Sequence, residues 1–320
     1  MRLWLAGKSE TVVRYLRAWD TVLFPAIPPY KTLQFTAKSF LFFVLGVLLF
    51  SAIGTLLPAN GFIGFDWVHV FSRGMRLPFY PFWTQYVYLL TWPVLVGLTL
   101  TGISVALVQR QASPLAIVLA FLSLPVMWTL FLGQLDGLAL LGCIGLPWLA
   151  PIALLKPQIS AFAFLAKKRY MVALVVTLVV SCLIWGPWPI NMLNYRSYYA
   201  EGRYAQDISL WPWSVPVGLV LLWFSRGDED MLMLAGSFVT PHVIPYNYIV
   251  LVPAMGRIGQ CSAVLAWILS WTPLMSNWIG PKGWFLGHLF PAVLWLDLYC
   301  QRHRGRSWRR SLCKNPTVSD

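Results

Sequence analysis

Charge is what this sequence has least of. Asp, Glu, Lys and Arg supply 11% of its 320 residues, where a soluble domain carries about 25%. So little charge excludes an ordinary water-soluble domain. Acidic residues are the scarcer kind, 11 against 24 Lys and Arg, and the formal net charge is +13. A basic excess of that size can serve nucleic acid, but here the Lys and Arg sit in the two tails and a few short loops, which excludes a nucleic-acid face. Cysteine is sparse: the five, at 143, 182, 261, 300 and 313, include no CxxC pair. That spacing argues against a disulfide framework and against a zinc site. No His or Cys cluster is present, and neither a metal nor another cofactor is expected. No internal repeat is evident at any period. The first 34 residues mix polar and apolar side chains without the compact apolar core and small-residue site of a cleavable signal peptide.

Long apolar runs are abundant. The chain is 58% hydrophobic, with mean hydropathy +0.65, and stretches near 20 residues recur from end to end, long enough to cross a bilayer as helices. Many of the 18 Trp stand at the ends of these runs, as an interfacial belt requires. The expected fold is all-α: a polytopic transmembrane helical bundle of about 10 membrane segments, some short or broken. Three regions are expected. Residues 1–34 form a cytoplasmic segment, whose stretch 9–24 is either an amphipathic helix on the membrane surface or a tail helix packed on the protein. Residues 35–300 form the transmembrane domain, with outer loops at 58–83 and 189–212. Residues 301–320 are a basic cytoplasmic tail. Spans are expected near 35–57, 84–108, 114–132, 170–188, 212–225, 259–278 and 284–300, with a helical hairpin at 230–256. Residues 134–166 are too long for one upright helix. Gly137, Gly142, Gly145, Pro147, Pro151 and Pro157 interrupt them, which implies short helices lining an enclosed cavity.

Orientation follows from the basic residues. With the N-terminus inside, roughly 18 of the 24 Lys and Arg fall on the cytoplasmic side. The protein is therefore placed in the plasma membrane as a multi-pass chain with both termini cytoplasmic. The same parity sends the first and second loops, the turn at 133–136 and the turn at 240–242 to the opposite face.

Against this background Asp66, Gln134, Asp136, Lys156, Gln158 and His242 stand out, because polar groups among apolar ones need a partner, a wet cavity or a function. Each has an ordinary reading. Asp66 and Asp136 suit helix caps, Lys156 can snorkel, and His242 can be a turn residue. Glu201, Arg203 and Asp207 read as solvated loop charges, and Asp297 as a partner of Arg302 or Arg304. Convergence favours chemistry. A carboxylate that takes a proton from an acceptor hydroxyl contributes about 10²–10⁴ in rate, and a cation stabilises a departing phosphate.

Four segments carry a resemblance. "GFDWVHVFSRGMRLPFYPFW" is similar to the first outer loop of polyprenol-dependent membrane glycosyltransferases of the GT-C fold, in Asp66, Trp67, Gly74 and Pro78-Phe79-Tyr80-Pro81. "LFLGQLDGLALL" and "ALLKPQ" resemble the Gly-Gln-x-Asn and Leu-Lys-Pro elements of glycosyltransferase family 87, and "GSFVTPHVIPYNYIVLVPA" resembles its Ser-Pro…Tyr-Asp hairpin. The resemblance covers residues 35–256. Asp136 stands where Asn is usual, Thr240 replaces Ser, and Asn247 replaces an acid. The resemblance implies transfer of a sugar such as mannose from a polyprenyl-phosphate donor to a glycan or glycolipid acceptor on the outer side, with inversion. Asp66 would be the general base. Lys156, Arg73 and Arg76 would hold the donor phosphate. His69, Gln134, Asp136, Gln158, His242 and Tyr246 would line the sugar pocket. Membrane lipids are the remaining expected partners. The rival readings are a non-catalytic assembly protein and a lipid or solute transporter.

Overall fold

A computed structural model describes residues 21–25, 36–75, 80–194 and 206–312. Most of the expected surface helix at 9–24 lies outside these residues. So do Arg76, Pro78, Phe79, Glu201, Arg203 and the tail from 313 onward. Among the described residues all regular structure is helical and there is no strand, as expected of an all-α chain.

Helix α1, Ala37–Thr55, starts at a capping box in which the Thr36 side chain accepts from the Ser39 N–H and Ser39 answers the Thr36 backbone. No proline interrupts it, and at about 1.5 Å per residue it spans nearly the bilayer's apolar thickness of about 30 Å. Gly54 is its one buried residue. Phe40, Leu41, Phe42, Leu48 and Leu49 are exposed, a surface that water would not tolerate and lipid would cover. The outer loop expected at 58–83 is partly helical: it contains the short helix α2, Phe65–His69, and a 3-10 turn, Phe71–Arg73. A 3-10 helix, Phe82–Leu89, leads into α3, Trp92–Gln109, whose Pro93 sits in the first turn where its missing N–H is harmless. Helix α3 occupies the centre of the bundle, with Leu95, Val96, Ile103 and Leu107 buried. The Trp92 indole donates to the Leu57 carbonyl at 2.5 Å and fastens the top of α3 to the end of α1.

Helices α4, Pro114–Phe121, and α5, Leu124–Leu132, form a pair bent by 41°, with Ser123-Leu124-Pro125 at the break. Then come α6, Asp136–Ile144; α7, Ala150–Ala153; and α8, Pro157–Ser160, which continues as a 3-10 turn, Ala161–Ala166. Helix α9, Lys168–Trp185, shows Val172, Val175, Val176 and Val179 on its exposed side. The short α10, Trp188–Asn194, and α11, Val215–Ser225, follow. Next is the hairpin of α12, Glu229–Gly236, with a 3-10 helix, Pro245–Arg257. The chain closes with α13, Gln260–Ser270, α14, Ser276–Ile279, and α15, Leu289–Leu312.

Among the described residues three helices, α1, α3 and α9, are long and apolar enough to cross a membrane, or four if the bent pair is one span. The apolar pattern suggested about ten segments. The difference has a physical source: Pro and Gly divide the remaining apolar chain into pieces too short to span alone. Pro147, Pro151 and Pro157 split 134–166 into three short helices. Pro245 and Pro253 lie in the tight 3-10 helix that replaces an α-helical arm of the hairpin.

The bundle has two dissimilar ends. At one, charged residues from distant segments interlock. Arg110 grips Asp230 through Nε and Nη2, the latter at 2.5 Å. Arg257 Nη1 lies 2.7 Å from Asp228 and 3.0 Å from Asp230. Lys167 pairs with Glu229 at 2.7 Å. Asp228 also caps α12 through the Met231 N–H. Here the Arg226 guanidinium donates to the Val22 carbonyl and Arg302 donates to that of Phe224. Asp297 accepts from the Gly259 N–H and from the Gln301 amide, its neighbour one helical turn on, while the side chain of Arg304, one of its two expected partners, lies outside the described residues. We call this the basic end. The α2 loop, the 133–136 turn and the 240–247 stretch gather at the other.

Candidate functional site

The loop before α2 docks on the end of α5. The Gly64 N–H donates to the Phe131 carbonyl at 2.7 Å. Helix α5 stops at Gly133, whose φ of 72° is left-handed, as a helix-ending glycine permits. A Cβ there would lie 2.7 Å from the Trp67 Cβ, so only glycine lets α2 sit this close. This junction puts Asp66 beside Gln134. The Gln134 amide donates to Asp66 Oδ2 in a very short hydrogen bond. Asp66 was a candidate helix cap; it occupies the first turn of α2, where Gly64 takes the cap position.

Asp136 and Lys156 meet below this pair. Asp136 opens α6 but makes no capping bond. Its Oδ1 accepts from the Asn247 amide at 2.7 Å, and its Oδ2 lies 3.4 Å from Lys156 Nζ, an ion-pair distance beyond hydrogen-bond length. Lys156 is 2% exposed, which rules out snorkelling to an aqueous surface. Its ammonium stands 4.8 Å from the Tyr80 ring centroid and 4.9 Å from that of Tyr246, a double cation–π contact. Lys156 reaches this place because α6 and α7 nearly touch: a Cβ on Gly142 would come within 2.0 Å of the Ala153 backbone nitrogen.

Two side-chain amides complete the surroundings. The Gln158 backbone carbonyl accepts from the Thr240 hydroxyl at 2.8 Å, holding the 240–247 stretch against α8, while the side-chain Oε1 of Gln158 is buried and unpaired. Gln134 Oε1 is likewise buried with no donor. His69 contributes an imidazole at the far end of α2, tilted against the Phe65 ring with centroids 4.6 Å apart.

Asp66 lies in the loop outside the spans. Burial lifts its carboxyl above the ordinary Asp value, and the Lys156 charge and the Gln134 amide offset part of that rise. Two carboxyl groups, those of Asp66 and Asp136, thus share the neighbourhood of one ammonium, and Asp136 is the one at ion-pair distance. Lys156 is therefore already balanced by Asp136 before any anion arrives.

The structure thus joins Asp66, Gln134, Asp136, Lys156 and Tyr246 in one cluster, with Gln158 and His69 at its margin. Arg73 is not brought in: it is exposed at the end of its 3-10 turn, and among the described residues no bond links it to the cluster. His242 belongs to a separate pair. Its Nδ1 lies 2.7 Å from Asp207 Oδ2, while Asp207 Oδ1 accepts from the N–H groups of Val243 and Ser209. That corrects the reading of Asp207 as a solvated loop charge. Tyr80 and Asn247 are site members that polarity alone did not flag. The signal that could have found them is the need of a buried Lys and a buried Asp for neutral partners. Among the described residues, no group of three or more His, Cys, Asp or Glu is placed to hold a metal ion. Comparison with known proteins returned no match: no family model, no curated protein and no solved structure.

Proposed function

We propose that the chain is an integral membrane glycosyltransferase of the GT-C kind, resembling glycosyltransferase family 87. It moves a sugar, with mannose the first candidate, from a polyprenyl-phosphate donor to a glycan or glycolipid, and it works at the end of the bundle away from the basic residues. The observation that carries this reading is the Asp66–Gln134–Asp136–Lys156 cluster, assembled from three distant segments. In the proposed step the acceptor hydroxyl oxygen bonds to the anomeric carbon and its proton passes to the Asp66 carboxylate. The bond from that carbon to the phosphate oxygen breaks, and the polyprenyl phosphate leaves with the electron pair. A raised carboxyl pKa suits a base that must accept a proton near neutral pH. The unpaired carbonyl oxygens of Gln134 and Gln158 favour a ligand rich in hydroxyl donors, since buried acceptors call for partners. Lys156 would hold phosphate by exchanging part of its attraction to Asp136.

Two departures from the family pattern support the reading jointly. Asp136 stands in place of an Asn and Asn247 in place of an acid, and these two side chains bond each other at 2.7 Å. The exchange leaves an acid–amide pair intact. The interlocked charges of the basic end favour a one-sided site over a transporter's through-path.

The test is Asp66→Asn in membranes supplied with labelled polyprenyl-phosphate sugar. Transfer should fall by about 10²–10⁴ while the protein remains folded. Unchanged transfer would remove Asp66 as the base, and a wild-type chain that moves no sugar from any such donor would remove the reading.

A further inference from the structure

A cavity of about 900 Å³ lies beside the cluster, without including any of its members. Its volume is at the upper end of the roughly 300–1,000 Å³ typical of small-molecule pockets. Leu155, next to Lys156, lines its upper part together with Trp83 and Leu90. The wall then descends along Leu98 and Val105 of α3 and past α6. Its polarity is sharply one-sided. All four charged residues in the lining, Arg110, Lys167, Arg169 and Glu229, belong to the basic end. The rest of the wall is almost wholly apolar.

The cations at that mouth are not equivalent. Asp230 balances Arg110 and Glu229 balances Lys167. Arg169 is exposed, and its guanidinium is laid on the Tyr170 ring 5.2 Å from the centroid, with no carboxylate partner among the described residues. A flat guanidinium fixed on an aromatic face is well placed to fork onto a phosphate. Lys167 is only part-buried and can share its ammonium. The groove therefore fits a molecule with long apolar chains and an anionic head, oriented with the head at the basic end.

We propose that this groove holds an anionic glycerophospholipid drawn from the leaflet on the basic side, with its acyl chains along Leu98 and Val105 and its phosphate at Arg169 and Lys167. A polyprenyl phosphate serving the Asp66 cluster would need its phosphate at the opposite end, where the groove offers no charge. The groove and its lipid stand whether or not that cluster transfers a sugar.

The experiment is native mass spectrometry of the full chain in neutral detergent, with phosphatidylglycerol and phosphatidylcholine added in equal amounts. Phosphatidylglycerol should be retained preferentially. Arg169→Gln, a change at an exposed site, should lower that retention about five-fold, from the attraction of one basic side chain for an anionic lipid surface. Val105→Trp should abolish retention of both lipids while the melting temperature without added lipid holds. Asp66→Asn should leave retention unchanged. Equal retention of the two lipids, or a phosphatidylglycerol signal indifferent to Arg169→Gln, would overturn the assignment. So would displacement of the phospholipid by polyprenyl phosphate in a manner indifferent to Arg169→Gln.

Discussion

Lys156→Met should destabilise the protein strongly, and adding Asp136→Asn to it should restore most of the loss. The two side chains are 1% and 3% exposed. With Lys156 removed, Asp136 keeps only its bond from Asn247, and its Oδ2, which accepts no hydrogen bond even in the intact protein, faces an uncompensated interior. Breaking a buried pair from one side costs about 3–5 kcal/mol, whereas removing both charges together is often neutral. Asp136→Asn alone should be milder, because the ammonium keeps two ring faces worth up to about 2 kcal/mol when desolvated. For a chain of this size each kcal/mol moves the melting temperature by roughly 2 °C, so the Met variant should melt about 6–10 °C lower. The double variant should come within roughly 2 °C of wild type, if coupling in the cycle reaches about 2–4 kcal/mol. Melting curves in a single detergent, read by intrinsic Trp fluorescence, measure all four proteins. Single variants that both melt within about 1 °C of wild type, or a double variant as weak as the two losses summed, would refute a dry ion pair at this position.

Two more outcomes are expected. The Asp66 carboxyl is raised above 3.8 chiefly by burial, so the folded state keeps its proton to higher pH than the unfolded chain does. This group then subtracts stability as pH climbs from the unfolded value through the folded one. Asp66→Asn should accordingly melt higher than wild type near neutral pH and converge with it below about pH 4; melting curves that stay parallel across that range would contradict the shift. Gly142→Ala forces a methyl group against the Ala153 backbone and should cost about 1–3 kcal/mol, seen as a lower melting temperature, with no loss if α6 and α7 can separate freely.

The parts of this molecule that were legible in its sequence are those where a single interaction dominates. Helices α1, α3 and α9 follow from uninterrupted apolar runs of sufficient length, whereas the stretch expected as one span at 114–132 is a pair bent by 41°. Asp66, Gln134, Asp136 and Lys156 could be grouped because a polar group among leucines has few places to go. Beyond that, partners decide the outcome, and a linear pattern does not name them. Tyr80 and Asn247 look unremarkable until a buried cation and a buried carboxylate need them. Asp207 resembles any loop acid, yet it is fixed by two N–H groups and His242. Arg110, Lys167 and Arg257 served the sequence reading as markers of orientation, and that masked their second role as partners of Asp228, Glu229 and Asp230. The stretch from 230 to 288 was hardest, because apolar content cannot tell a straight α-helix from a tight 3-10 helix with proline inside it.

The charge lattice joining Arg110, Asp228, Asp230 and Arg257 has a mechanical consequence. It ties α3, α12 and the Pro245–Arg257 helix at one extremity with short, doubled contacts, while at the other the Pro245–Arg257 helix meets α6 through the isolated bond of Asn247 to Asp136. Such a body behaves like a book stitched along one edge. Local opening is then expected first opposite the stitching, where fewer contacts have to break.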